Sequence, residues 1–447
     1  MFGKDIYWYG VQAVSLLKSG KLHSPDNSPV FHIVAFLFRI FGISDETLFV
    51  FQILTSVWLI ISLFIARYLV FSVQNTLSQK FHFLPSILVF VLGFLYPKQS
   101  WALGFLILSF GFLSPIPTIS SLFSTTPSPS SPSFSFTLFR FPLRWIASGV
   151  LFIFCFWFHP MVALLGWGVL ILYQIPEKFY LLIFCFGFLL PILLPEDPSG
   201  RFYSEKEMFP LSAAFALAGL GILWDWFFLI FGSSEPKFHK LRRALAFFGL
   251  LLLFPILHFA DIQFRILLSL ILLTQIFIQW NVFQILIWMV STGLWIFTLF
   301  MNPNQFRYSY EAMWMPGESM ASVPNIGLLV AHHGFCEYYH FQFNKDCLSF
   351  EPDTKAISEL PEGTVIYRAV YGIRYENLLS SKDENKKPIF SFLQPLGEYQ
   401  LVKEQDWKTY RLSLEKRNSK LLQVAKSWKN PYKERPIFIK RKHTNGF

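Results

Sequence analysis

The sequence predicts an all-α polytopic membrane protein of about ten transmembrane helices, followed by a small C-terminal α/β extracytoplasmic domain. Three observations carry this. Only 15% of the residues are charged and 53% are hydrophobic, whereas soluble domains carry roughly 25% charged residues. The apolar residues come in long blocks rather than in short alternating runs. From position 302 onward the composition turns soluble and strand-like runs appear. The net charge of +10 does not call for nucleic acid: Lys and Arg collect in loops and in the tail "KSWKNPYKERPIFIKRKH", where they stay solvated and suit phosphate headgroups.

Three regions follow from this reading. Residues 1–45 form an outer loop with two interfacial amphipathic helices. The first covers 5–19, with apolar Ile6, Tyr9, Val14 and Leu17 at helical spacing and Gly20 as its stop. "HSPDNSP" is loop chemistry, and "VFHIVAFLFRIFG", with His32 and Arg39, is too short to span and reads as the second interfacial helix. Ser44 then caps a long helix with Asp45 and Glu46 in its first turn. Residues 46–301 form the membrane domain. Its spans are expected at 47–73, 82–96, 99–115, 145–158, 160–175, 178–195, 209–231, 244–259, 263–279 and 282–301, with 82–115 and 145–175 open to being single broken elements. The Ser/Pro/Thr-rich stretch 116–136 is expected to be a loop, since it cannot bury a core. Residues 302–447 form the soluble domain, with strands at "IGLLVAHH", "TVIYRAVYG", "PIFSFL" and "PIFIK" and a helix at "EQDWKTYRLSLEKRNSKLLQVAKSW". No apolar segment follows the first residues as a signal peptide would require.

Charge sets the sidedness. With the N-terminal stretch outside, Lys80, Arg140, Arg144, Lys178, Lys237, Lys240, Arg242 and Arg243 fall in cytoplasmic loops, against Lys98, Arg201, Lys206 and Arg265 outside. The positive-inside rule prefers this assignment. An even number of spans brings the C-terminal domain to the same outer face, where it and the opening stretch roof the helices. Cys155 and Cys185 lie in apolar blocks and read as small buried hydrophobes. A Cys336–Cys347 disulfide is open to the chain if that face is oxidising.

Several polar residues are placed for chemistry. Asp5, among Tyr7, Trp8 and Tyr9, is either a general base or a helix N-terminal charge. His23 and Asp26 share the loop of "HSPDNSP". His159 precedes Pro160 between two apolar segments, a depth at which ionisable groups are often functional. Arg201 and Arg265 suit a lipid phosphate, since guanidinium makes bidentate phosphate contacts; Arg265 is equally placed to pair with Asp261. Asp225, between two Trp residues, belongs to a cytoplasmic aromatic belt. "VAHHGFCEYYH" gathers His332, His333, Glu337 and His340, but without a clean ligand spacing, and no metal site is expected.

The opening stretch resembles a known pattern. Asp5 and Tyr9, then Ala13, Leu16, Leu17, Gly20, Lys21 and Leu22, then "FRIFGISDE" with Phe41, Gly42 and Ser44 ahead of a long span, look like the first outer loop of the GT-C superfamily. These are polytopic glycosyltransferases using lipid-phosphate-linked sugars, such as the protein O-mannosyltransferase and aminoarabinose-transferase relatives. The match covers residues 3–75. It implies that Asp5 is the catalytic carboxylate, with Asp26 the nearest second acid because Ile6 stands where many relatives carry one. Tyr9, His23, His159, Arg201 and Arg265 become substrate-binding candidates. The implied partners are a polyprenyl-phosphate-linked sugar donor, membrane lipid, and a glycan, lipid or protein acceptor, with no nucleic acid. The sequence names no cofactor, and the resemblance allows a divalent cation at the phosphate. Family members begin with a membrane helix before this loop, whereas here Met1 stands just ahead of Asp5. The implied location is the inner (cytoplasmic) membrane, multi-pass, with the C-terminal domain periplasmic or extracellular. The rival is a non-catalytic GT-C-like membrane protein or a transporter of lipid-linked glycans.

Overall fold

The computed structural model describes residues 6–72, 88–113, 134–180, 182–183, 239–253, 260–277, seven scattered positions between 285 and 296, and, near the C-terminus, 329–330, 335–345, 347–348, 365–371, 399–401 and 434–441. Asp5, Cys185, Arg201, Asp225, His332 and His333 lie outside the described residues, as do the span at 209–231, the strand "PIFSFL" and the helix at 404–428. The side chains of Asp261 and Arg265 are likewise outside them. What is described is mostly helical. The chain divides into two compact units: Met1–Asp26, Phe31–Leu48 and Asn302–Phe447 in the first, and Asn27–Val30 with Phe49–Met301 in the second.

The first unit begins with α1 (Ile6–Ser19) and α2 (Val30–Phe41). Each ends at a glycine with positive φ, Gly20 at 70° and Gly42 at 86°. The Gly20 N–H donates to the Leu16 carbonyl and the Gly42 N–H to that of Phe38, each at 3.0 Å. This is the left-handed C-terminal cap that a Cβ disfavours. Ser44 then accepts the Thr47 N–H at 3.3 Å and opens α3 (Asp45–Ser72), which carries Asp45 and Glu46 in its first turn.

Near the C-terminus, β1 (Leu329–Val330), α10 (Phe335–Phe343), β2 (Cys347–Leu348), β3 (Val365–Tyr371), β4 (Tyr399–Leu401) and β5 (Glu434–Arg441) follow in chain order. The sheet order is β2-β1-β3-β5-β4. β1 is parallel to both β2 and β3, while β5 is antiparallel to β3 and to β4. Two parallel neighbours require a crossover connection, and α10 is that crossover between β1 and β2. In "VAHHGFCEYYH" the residues after the glycine are helix, an element the sequence reading did not assign.

The second unit holds the rest of α3 and α4 (Leu88–Leu95), α5 (Pro97–Leu113), α6 (Phe134–Phe158), α7 (Pro160–Gln174), a short 3-10 turn (Glu177–Phe179), α8 (His239–Leu253) and α9 (Ala260–Thr274). Both expected breaks occur at prolines, Pro97 and Pro160. The residue before Pro160, His159, is extended at φ −157° and ψ 100°, as a residue preceding proline prefers. α6 starts at Phe134, earlier than the expected 145, so positions 134–136 of the Ser/Pro-rich stretch are helical. Pro132 is the last proline of that tract, and every residue from 133 to 141 offers a backbone N–H.

Large apolar side chains face outward in this unit while several polar ones lie within its largely apolar core. On α3, Phe49, Ile53, Val57, Ile61, Phe64 and Tyr68 form an exposed row, while Gln52, Thr55, Ser56, Ser62 and Arg67 are buried. On α6 and α7, Ile153 is 69% exposed and Trp157 57%, with Leu164, Trp167 and Ile171 each above half. The buried polar groups bond between helices. Gln99 Nε2 donates to Ser269 Oγ at 2.7 Å, Gln52 Nε2 to the Phe94 carbonyl at 2.7 Å, and Arg67 Nη1 to the Gln275 carbonyl at 3.2 Å. Ser109 and Ser148 share a 2.7 Å hydroxyl bond. Among the described residues, one helix, Asp45–Phe71, is long and apolar enough to cross a membrane; Val30–Phe41, Leu143–Phe158 and Pro160–Gln174 are apolar but shorter.

Small residues let α3 and α5 approach closely. A Cβ at Gly111 would stand 2.6 Å from the Ala66 Cα, and one at Gly104 would collide with the Trp58 indole. Gly111→Leu is expected to lower stability by about 1–3 kcal/mol through overpacking. The measurement is the thermal unfolding midpoint in detergent, and an unchanged midpoint contradicts the close contact.

Candidate functional site

The first unit gathers the polar candidates around a packed seam. The N-terminal half of α1 is buried nearly all round: Ile6, Tyr7, Tyr9, Gly10, Val11, Gln12 and Ala13. The single apolar stripe expected from Ile6, Tyr9, Val14 and Leu17 does not describe it, since Val14 and Leu17 are only half-buried. The reason is that α1 is covered from two sides. Tyr7 meets Tyr338 edge-on at 4.9 Å and Phe341 at 5.8 Å, both from α10. Trp8 and Tyr9 meet Phe31 of α2 at 4.9 and 5.7 Å. Phe341 also stacks on Phe38 of α2 at 6.0 Å, and its ring edge fills the space left by Gly10, where a Cβ would lie 2.8 Å away.

Covalent and polar bonds fasten the edges of this seam. Cys336 of α10 is disulfide-bonded to Cys347 of β2, with Cα atoms 5.2 Å apart, inside the usual span. Gln342 Nε2 donates to Asp45 Oδ1 at 2.6 Å, and Lys18 Nζ to Asn344 Oδ1 at 3.2 Å. Asn344, at φ 49°, ends α10 in the left-handed region and donates its N–H to the His340 carbonyl at 2.9 Å. Burial pushes the Tyr339 phenol above its ordinary range, so it stays neutral.

The loop after α1 is pinned from below. Gln12 is wholly buried; its amide donates to Ser24 Oγ, and its Oε1 accepts the Ser24 N–H at 3.2 Å. Ser15 Oγ donates to the Lys21 carbonyl at 2.9 Å. The Asp26 N–H donates to the Ser24 carbonyl at 2.8 Å, closing a tight turn. His23 is thereby held exposed and Asp26 half-buried on a fixed loop. An imidazole can give or take a proton and a carboxylate can accept one, so the loop offers acid–base chemistry at a defined place.

The other sequence candidates are distributed as follows. Tyr9 is buried against Trp8 and Phe31, within the packing of α1 on α2. His159 belongs to the second unit, where its carbonyl accepts the N–H groups of Val162 at 3.1 Å and Ala163 at 3.4 Å at the start of α7. Arg265 lies on α9. Asp5 and Arg201 are outside the described residues. Among the described residues, no group of three or more His, Cys, Asp or Glu side chains converges as a metal site. Sequence reasoning passed over Gln12, whose signal was a lone amide inside the otherwise apolar "YGVQAV", and over the ring contact of His23 with His340 at 5.2 Å.

Two outcomes are expected. Gln12→Ala leaves the Ser24 backbone donor without its partner and is expected to cost about 1–3 kcal/mol, seen as faster tryptic cleavage at Lys21; an unchanged cleavage rate contradicts the pinning. Cys336 and Cys347 are expected to resist alkylation in unfolded protein until reductant is added, and Cys336→Ser is expected to lower stability by about 3 kcal/mol, read by chemical unfolding. No protein-family model matches the chain, and neither a curated protein nor a solved structure does.

Proposed function

We propose that the protein is an integral membrane glycosyltransferase of GT-C type. It spans a cytoplasmic membrane about ten times and transfers a sugar from a polyprenyl-phosphate donor to a glycan, lipid or protein on the outer face. The observation that carries the reading is the order of the opening segment: α1, a pinned polar loop, α2 and then a helix of membrane-spanning length, which is the layout the GT-C resemblance implies. Three further facts support it. The outward row of Phe, Ile, Val and Leu on α3, α6 and α7 suits lipid and is costly in water. The Cys336–Cys347 disulfide suits an oxidising, extracytoplasmic face. α1 and α10 belong to one compact unit, which suits an opening stretch and a C-terminal domain that share a face.

In this reading Asp5 takes the proton from an acceptor hydroxyl as that oxygen bonds the anomeric carbon. The bond from the anomeric carbon to phosphate breaks, and polyprenyl phosphate leaves with its electron pair. Asp26 and His23 orient the acceptor or the sugar.

The test uses membranes containing the full chain, radiolabelled polyprenyl-phosphate hexoses and native membrane acceptors. Asp5→Asn is expected to reduce transfer by about 100-fold or more with insertion unchanged, and Asp26→Asn to reduce it by a smaller factor. Full activity in Asp5→Asn removes that carboxylate from the mechanism. Movement of labelled lipid across the bilayer with no transfer by the unmodified chain favours the rival, a transporter of lipid-linked glycans.

A further inference from the structure

We propose that His23 and His340 form a two-imidazole site for a divalent zinc ion, closing the loop after α1 onto the last turn of α10. The inference does not rest on the transferase reading.

The first ground is distance. The two ring centroids are 5.2 Å apart with planes inclined by 35°. With Zn–N bonds of about 2.0–2.1 Å and about 1.1 Å from nitrogen to ring centre, two imidazoles at a tetrahedral ion keep their centroids about 5.2 Å apart. Imidazole is a zinc ligand, and zinc favours tetrahedral coordination.

The second ground is the orienting bond. His340 Nδ1 lies 3.2 Å from the Lys345 carbonyl oxygen. A histidine that ligates through one nitrogen commonly donates from the other to a carbonyl, which fixes the tautomer and presents Nε2. Asn344, in its left-handed conformation, turns the chain so that Lys345 can offer that carbonyl.

The third ground is the rigidity of both mounts. His23 directly precedes Ser24, which is held by both ends of the Gln12 amide. His340 sits on a helix stapled by the Cys336–Cys347 disulfide and packed through Phe341. The backbone that carries each imidazole is already fixed, which lowers the entropic cost of binding.

Two protein ligands leave two positions for water or an anionic oxygen. Lys18 and Lys345, near the pair in the same unit, disfavour a cation, so the affinity expected is micromolar rather than the far tighter binding of a four-ligand structural site. Because a metal-bound imidazole must be neutral, binding weakens as the solution is acidified.

The test is calorimetric titration of metal-stripped, tag-free full-length protein in detergent with zinc chloride at neutral pH. One equivalent is expected to bind, and His23→Asn is expected to weaken it by about tenfold or more. His23 is exposed, so this variant keeps its fold, and His340→Gln provides the second arm. Cobalt(II) is expected to give the intense visible bands of a tetrahedral complex with the unmodified chain and to lose them in His23→Asn. Absence of binding at millimolar zinc, equal affinity in wild type and His23→Asn, or the weak bands of octahedral cobalt would each overturn the site.

Discussion

An apolar exterior is the constraint on which the second unit depends. Phe, Ile, Val and Trp face outward on α3, α6 and α7, and the polar side chains buried beneath them need partners within the unit. The interhelical bonds follow this demand. Gln99 crosses from α5 to Ser269 on α9, Ser109 of α5 meets Ser148 of α6, and Trp101 Nε1 donates to Thr55 Oγ1 of α3 at 3.1 Å. Hydrogen bonds are directional where apolar contact is not, so these bonds and the glycine contacts help determine which helix neighbours which. Arg67 shows the same logic at its most costly. Its guanidinium is buried, donates to the Gln275 carbonyl and lies 4.6 Å from the centre of the Phe71 ring.

The first unit answers a different problem. Its elements come from opposite ends of the chain, so local helix formation cannot hold them. Phe341 supplies the contact: its ring touches Tyr7 and Gly10 of α1 and Phe38 of α2. A larger residue at position 10 would displace that ring and open α1 from α10. The disulfide limits how far α10 can move from β2. On such a base a short loop is able to hold polar side chains in place, and binding and catalytic groups tend to gather on loops so supported.

Much of this was legible locally and some of it was not. Gly20 and Gly42 stop α1 and α2 where the sequence places their ends, and Ser44 opens α3, because caps are written in neighbouring residues. The prolines at 97 and 160 mark both helix breaks for the same reason. β3 and β5 fall within or around the runs "TVIYRAVYG" and "PIFIK". β1 falls inside the run "IGLLVAHH", whereas β2, two residues long, and the crossover helix before it carry no periodicity to read. The buried circumference of α1 was hidden too, since what covers it is α10, more than three hundred positions away. His23 was legible as a polar loop residue, but its nearness to His340 is a property of the assembled unit.

The break between α6 and α7 shows how an irregular point survives inside an apolar bundle. A proline at 160 has no N–H to donate, and the extended conformation of His159 ends the helical run before it. The groups freed by such a break need partners, because an unsatisfied backbone carbonyl in an apolar setting costs several kcal/mol, about the strength of the bond it has lost. Three backbone groups at the break have partners. The His159 N–H still reaches the Cys155 carbonyl at 2.9 Å, and the His159 carbonyl accepts from Val162 and Ala163 as the next helix starts. The Phe158 carbonyl accepts the hydroxyl of Ser28 at 2.9 Å. That last bond makes a buried serine from the segment before α2 part of the helix terminus. Ser28→Ala would therefore disturb the α6–α7 junction although the two lie far apart in sequence. The break is thus a fixed feature of the bundle, held by a donor that the apolar segments themselves do not contain.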